Sequence, residues 1–287
     1  MKIGIPKGLY FYYHKDFLLE FFDNLKLTVL FSSDTTQKTI AEGSQLTPSE
    51  ICLSTKVFFG HIKELVANCD YLFLIRLVKK YSHNKRPLFG CPKFIGLPDL
   101  VKAVFNNIKI LELVIDEELK NEEESYYEVF KKFGFSKKEI LNAYKKAKEK
   151  TKEKKLEKGD ILIIGHPYIL FDSQLSLGLL NILKTMGVKF ITSFQFFGKD
   201  LDKEKEICWY YHRHLLVAAY WAKENNISGI ITINTFPCGT QPIIDERIKK
   251  ICSNTNILQI IIDEHTQKEA FITRLESFLD LIKIKKK

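Results

Sequence analysis

With 287 residues, 45% of them hydrophobic and 28% charged, the chain has a globular composition and room for two compact domains or one large one. Its formal charge of +9 comes from 39 lysines and only five arginines set against 35 acidic residues, and arginine makes the bidentate contacts of sequence readout, so no nucleic-acid partner is expected. No apolar run reaches the ~18 to 20 residues of a membrane span, and Met1-Lys-Ile-Gly-Ile-Pro6 opens on a strand without a signal-peptide core, so a cytoplasmic chain with no membrane partner is expected.

In chain order, residues 3–6 read as a short strand. The helix predicted over 13–25 carries Phe17, Leu18, Phe21, Phe22 and Leu25 on one face. A strand at 27–31 follows, then a helix capped by Asp34-Thr-Thr36 and running to 42, where Gly43 is expected to end it. Thr47-Pro-Ser-Glu50 leads to a helix opened by Cys52 and ending near Cys69. The run Tyr71-Leu-Phe-Leu-Ile-Arg-Leu-Val78 reads as a buried strand. A loop runs to about 93 and a helix on to 107, amphipathic from about 97, before a strand at 108–115. Between 121 and 158 Glu and Lys dominate, and exposed helices are expected over 122–132 and 137–155.

The alternation then resumes. Strands are expected at 160–165, 188–193, 229–234 and 258–263, and helices at 174–186, 203–226, 243–252 and 269–284. Continuous apolar strands separated by helices predict parallel sheets covered on both faces. The expected class is α/β, with two Rossmann-like lobes over 1–120 and 159–287 joined by a charged helical connector over 121–158. Strand-end loops of both lobes would face the cleft between them, where open α/β sheets bind ligands.

Six cysteines in a reducing compartment argue against a disulfide framework and leave metal ligation, catalysis or core packing. Cys69, Cys208 and Cys252 read as small buried hydrophobes. Cys52, Cys91 and Cys238 each sit at an element end near Pro or Gly, and a helix N-terminus at Cys52 favours thiolate. They could share a metal centre, although no CxxC pair marks one. Gly165-His-Pro-Tyr168 puts His166, Tyr168 and Asp172 at a strand end, where His166 is a candidate acid or base or is simply satisfied by backbone. His61 reads as a packed helical histidine, and Lys56 and Lys93 as cations that could balance thiolate charge. In Tyr210-Tyr-His-Arg-His214 the pair Tyr210 and His214 would share a helix face, with packing favoured over a site. Asp263-Glu-His-Thr266 reads as structural.

Several of these stretches together resemble the 2-hydroxyacyl-CoA dehydratase family, in particular its branch related to acyl-CoA dehydratase activases. They are Ile3-Gly-Ile-Pro6, Glu50-Ile-Cys-Leu53 with Lys56 and Gly60-His61, Asp70-Tyr-Leu-Phe73 with Arg76, and Cys91-Pro-Lys-Phe-Ile-Gly-Leu-Pro-Asp99. They continue with Gly165-His-Pro-Tyr168, Phe236-Pro-Cys-Gly239 and Asp263-Glu-His-Thr266 followed by Thr273-Arg-Leu-Glu-Ser-Phe278. The resemblance implies a 4Fe–4S cluster held by Cys52, Cys91 and Cys238, with one iron open to a small ligand or an acyl-CoA-type substrate. The chain departs from the dehydratases in being one short chain where they use two different subunits, and in Thr240-Gln-Pro-Ile243 after the third cysteine where relatives carry Pro-Asp. No P-loop is present, so an ATP-dependent activase or a reductant protein would be a separate partner. A homodimer would bring two clusters together. A non-redox ligand-binding or regulatory module with structural or zinc-binding cysteines is the alternative.

Overall fold

The computed structural model describes residues 1–151, 159–199 and 206–284. The elements in order are β1 (Lys2–Ile5), α1 (Tyr10–Asn24), β2 (Thr28–Phe31), α2 (Gln37–Leu46), α3 (Leu53–Val66), β3 (Tyr71–Tyr81), β4 (Pro87–Phe89), α4 (Pro92–Val104) and β5 (Ile110–Asp116). Then come α5 (Glu122–Phe130), α6 (Lys137–Lys150), β6 (Ile161–Ile164), α7 (Pro167–Leu170), α8 (Leu179–Thr185), β7 (Phe190–Thr192), α9 (Arg213–Glu224), β8 (Gly229–Thr235), α10 (Gln241–Ile251), β9 (Asn256–Ile262) and α11 (Lys268–Ile284).

Two sheets form, as the alternation predicts. In the first, β2, β1, β3 and β5 lie side by side and parallel, and the short β4 pairs antiparallel with the far end of β3. The second is wholly parallel, in the order β7-β6-β8-β9. In both, the chain winds outward in two directions from a central strand, β1 or β6. That is the topological switch point at whose carboxyl edge α/β proteins place their ligands. Ile161–Ile164 and Gly229–Thr235 are buried along their whole length, which is the continuous apolar pattern of strands covered on both faces.

Four expectations are corrected. Gly43 does not end α2 but lies inside it, because α2 and α3 touch backbone to backbone there. A Cβ on Gly43 would stand 1.8 Å from the Lys56 carbonyl oxygen, and one on Gly60 would stand 2.0 Å from that of Thr39. The loop before Cys91 contains β4, a strand too short to carry a period. The charged segment after 121 is not fully exposed: Tyr126, Phe130, Ile140, Ala143, Tyr144 and Ala147 are buried. Their rings pack on the aromatic face of α1, Phe17 against Tyr126 and Tyr144 and Phe21 against Phe130. The helix expected over 203–226 begins only at Arg213, behind a 3₁₀ turn at Tyr210–His212. Cys208 is therefore not helical. It is exposed, on a segment bridged to β4 at Phe89 and Trp209. Residues 203–205 of that prediction, and 152–155 of the one ending at 155, lie outside the described residues.

Candidate functional site at the interlobe cleft

The carboxyl edges of the two sheets face each other, and each candidate residue sits on one of them. Cys52 is the N-cap of α3 and Cys91 the N-cap of α4, both with extended backbone. His166 is the N-cap of α7 directly after β6, and Cys238 lies in the short turn between β8 and α10. Neither the Cys52 nor the Cys91 sulfur makes a capping hydrogen bond to its own helix, although each sits at the positive end of that helix. The Cys52 Sγ lies 3.2 Å from the Thr55 hydroxyl. The Cys238 Sγ lies 3.6 Å from the Thr240 hydroxyl.

The three thiols lie within electrostatic reach of one another. Burial pushes Cys91 up to about 12, and Cys52 and Cys238 add to the rise. Burial also raises Cys52, with Cys238 adding to it, while the hydroxyl of Thr55 and the ammonium of Lys93 pull the other way. Tyr168 is buried beside all three, and its phenol is raised first by burial, then by Tyr13 and by each of the cysteines. Mutual repulsion would oppose three thiolates here unless a cation offset it. Among the described residues, no three His, Cys, Asp or Glu side chains gather closely enough to hold a single metal ion. A four-iron cluster takes its cysteines at separate corners, so its ligands do not have to converge on one point.

Backbone and side-chain ties across the lobes fix this geometry. The Leu53 amide, next to Cys52, donates to the Phe236 carbonyl, two residues before Cys238, at 2.9 Å. Ser54 and Thr235 share a hydroxyl hydrogen bond of 2.9 Å. Lys56, buried, pairs with Glu264 at 2.5 Å. Its charge is thus taken by a carboxylate of the other lobe, which corrects its expected role against thiolate charge. Asp263 and Thr266 close a local turn, as a structural reading expects. Asp172 is also spent on structure. It accepts from the Thr35 hydroxyl and from the Gln174 and Leu175 amides, and the same Thr35 lies 3.0 Å from His61 Nε2. His61 is fully buried, and burial lowers it to about 4.

Behind the thiols stands a wall of rings. His166 stacks on Tyr168, with centroids 4.9 Å apart and planes at 10°, and its Nδ1 lies 2.5 Å from the Tyr13 hydroxyl. Its Nε2 faces His212 Nε2 at 3.4 Å, and that same His212 nitrogen lies 2.9 Å from the Thr240 hydroxyl. Tyr13 stacks on Tyr211 at 4.1 Å, and the Tyr211 hydroxyl meets His14 Nε2 at 2.7 Å. Burial holds His166 well below the usual imidazole range and His212 at about 3. The sequence pattern pairs Tyr210 with His214 on a regular helix and does not single out Tyr13, Tyr211 or His212. The 3₁₀ turn re-aims that segment. The signal that could have found them is the density of ring side chains in Tyr12-Tyr-His14 and Tyr210-Tyr-His-Arg-His214.

Fold and site together define a two-lobed α/β protein with three half-buried cysteines at element ends and buried imidazoles behind them. Residues 2–194 match the family described as the CoA enzyme activase uncharacterised domain (DUF2229), which spans about two thirds of the chain. The chain belongs to this CoA enzyme activase-related family. The match includes Cys52, Cys91 and His166 and stops before Cys238. No curated protein matches the chain. Among solved structures, the SBP FpvC of Pseudomonas aeruginosa in complex with Ni2+ is similar at 12% identity over 91% of this chain and 86% of that one, with a TM-score of 0.29. The Mn2+ complex of the same protein is similar at 12% identity over 98% and 96%, with a TM-score of 0.29. No helix among the described residues is long and apolar enough to cross a membrane.

Proposed function

We propose that this chain is an iron–sulfur protein of CoA-enzyme activation, with a 4Fe–4S cluster held by Cys52, Cys91 and Cys238 in the interlobe cleft. The observation that supports the reading is positional: Cys52 and Cys91 open α3 and α4, Cys238 lies in the turn after β8, and the backbone bond from Leu53 to Phe236 ties the Cys52 and Cys238 segments together. The donor set suits the group: three half-buried thiols, two of them beside a threonine hydroxyl, are what a cluster with one non-protein position requires. Bound there, such a cluster supplies low-potential one-electron chemistry and an open iron for an acyl-CoA-type ligand. The chain itself holds the thiols at fixed helix starts, ties the lobes together beside Cys52 and Cys238, and walls the cleft with Tyr168 and His166. No phosphate-binding loop appears in the sequence, so the electron would come from a separate ATP-dependent activase or reductant protein.

The test is iron and acid-labile sulfide per chain, with the visible spectrum, on protein made and kept without oxygen. About four of each is expected from the cluster type, with loss on replacing any of the three cysteines by alanine. Zinc without sulfide, or no metal after anaerobic reconstitution, would sink the reading and leave the cleft as a non-redox ligand site.

A further inference from the structure

Between the lobes lies a cavity of about 590 Å³ whose lining includes none of the three cysteines. Its walls are largely rings. Tyr12 and His14 on α1 line it from the first lobe, and Phe171, Phe194, Phe197 and Tyr210 from the second. Five of these rings are half-buried, and Phe171 is 44% exposed. The Phe194 ring lies 5.3 Å from that of Phe171 and 6.0 Å from that of Phe197, so three rings run in a row along the second-lobe wall. One exposed ring is ordinary on a protein surface, but six that converge on one concavity leave apolar area for a ligand to cover. The position agrees. Lys7, just past β1, and Phe194, just past β7, put the cavity at the carboxyl edges of both sheets.

Charge narrows the ligand. Among the described residues the lining carries Lys7, Lys15, Lys80 and Lys148 against Asp16, Asp34 and Glu122, which leaves one positive charge in excess. Lys7 pairs with Asp34 and Lys80 with Glu122, so the excess falls on the exposed Lys15 and Lys148, with Asp16 beside them. A carboxylate matches that single charge. A phosphate ester, with about two charges near neutral pH, would leave one of them uncompensated between apolar walls. We propose that this cavity binds a small aromatic monocarboxylate, its flat ring between Tyr12 and the row of Phe171, Phe194 and Phe197, and its carboxylate toward Lys15 and Lys148. Ring-on-ring contact favours an aromatic body over an aliphatic one of the same size. The site goes beyond the cluster reading and does not rest on it.

The experiment is a ligand-observed NMR titration of the full chain, read as a dissociation constant for each probe. Phenylacetate and naphthylacetate carry both ring and charge. Cyclohexylacetate keeps the charge without the aromatic ring, phenylacetamide the ring without the charge, and AMP joins a ring to a phosphate. At least one of the two aryl acids should bind, about fivefold tighter than cyclohexylacetate and about threefold tighter than phenylacetamide, with AMP weaker than the acid. Phe171→Ala and Lys148→Gln change exposed positions, so both variants should fold. Phe171→Ala should weaken acid and amide alike, by about fivefold. Lys148→Gln should weaken the acid by about threefold and leave the amide unchanged. No binding of either aryl acid, tighter binding of AMP, or affinities that ignore both variants would overturn the proposal, whatever the iron and sulfide content proves to be.

Discussion

Replacing His212 with glutamine is expected to make the metal-free chain less sensitive to acid. In the fold, burial depresses His212 to about 3 and His61 to about 4, and holds His166 well below its ordinary value. An unfolded histidine titrates near ~6.5. Between the folded and unfolded values the unfolded chain binds the extra proton, so stability is fully present above about pH 6.5 and is lost as pH falls. At pH 5.5, about one unit below the unfolded value, each such histidine costs about 1.4 kcal/mol relative to pH 7.5. The three together cost about 4 kcal/mol, a large part of an ordinary domain's stability. The assay is urea unfolding at the two pH values, comparing the drop in stability and not its absolute size, so that any fixed cost of the substitution cancels. His212→Gln should lose about 1.4 kcal/mol less than the unaltered chain over that interval. An equal drop in both proteins would show that His212 is not buried neutral, and the packing described around it would be wrong.

Glu264→Gln leaves the buried Lys56 ammonium without its carboxylate. It is expected to cost about 2 kcal/mol in urea unfolding, and Lys56→Met in the same chain should recover most of it. Gly60→Ala puts a methyl group within 2.0 Å of the Thr39 carbonyl oxygen, where only backbone can yield. A loss of about 3 kcal/mol in the same assay is expected from such overpacking, together with weaker iron retention because α3 presents Cys52. Cys252 is buried and donates to the Ala219 carbonyl, remote from the cleft elements. Cys252→Ala should therefore leave iron and sulfide content unchanged, whereas Cys91→Ala should abolish both.

The sequence alone was enough for the class of fold and the placement of most strands, because a strand covered on both faces must be apolar throughout, as at Ile161–Ile164 and Gly229–Thr235. It also marked Cys52, Cys91 and Cys238, since a Pro or Gly within a few residues of each cysteine announces an element end. Tertiary structure decided what those ends meet. Whether three thiols share one cleft depends on how two sheets face each other, and that is set by ties such as Leu53 to Phe236 and Lys56 to Glu264, between residues far apart in the chain. The same holds for Gly43, which looks locally like a helix stop and is in fact the contact point of two helices. It holds most strongly for Tyr13, His166 and His212. Each is an ordinary ring in its own segment, and they become a series only because α1, the end of β6 and the turn before α9 pack together. Local pattern records what a residue must bury, and only packing determines which polar atoms are left to find one another.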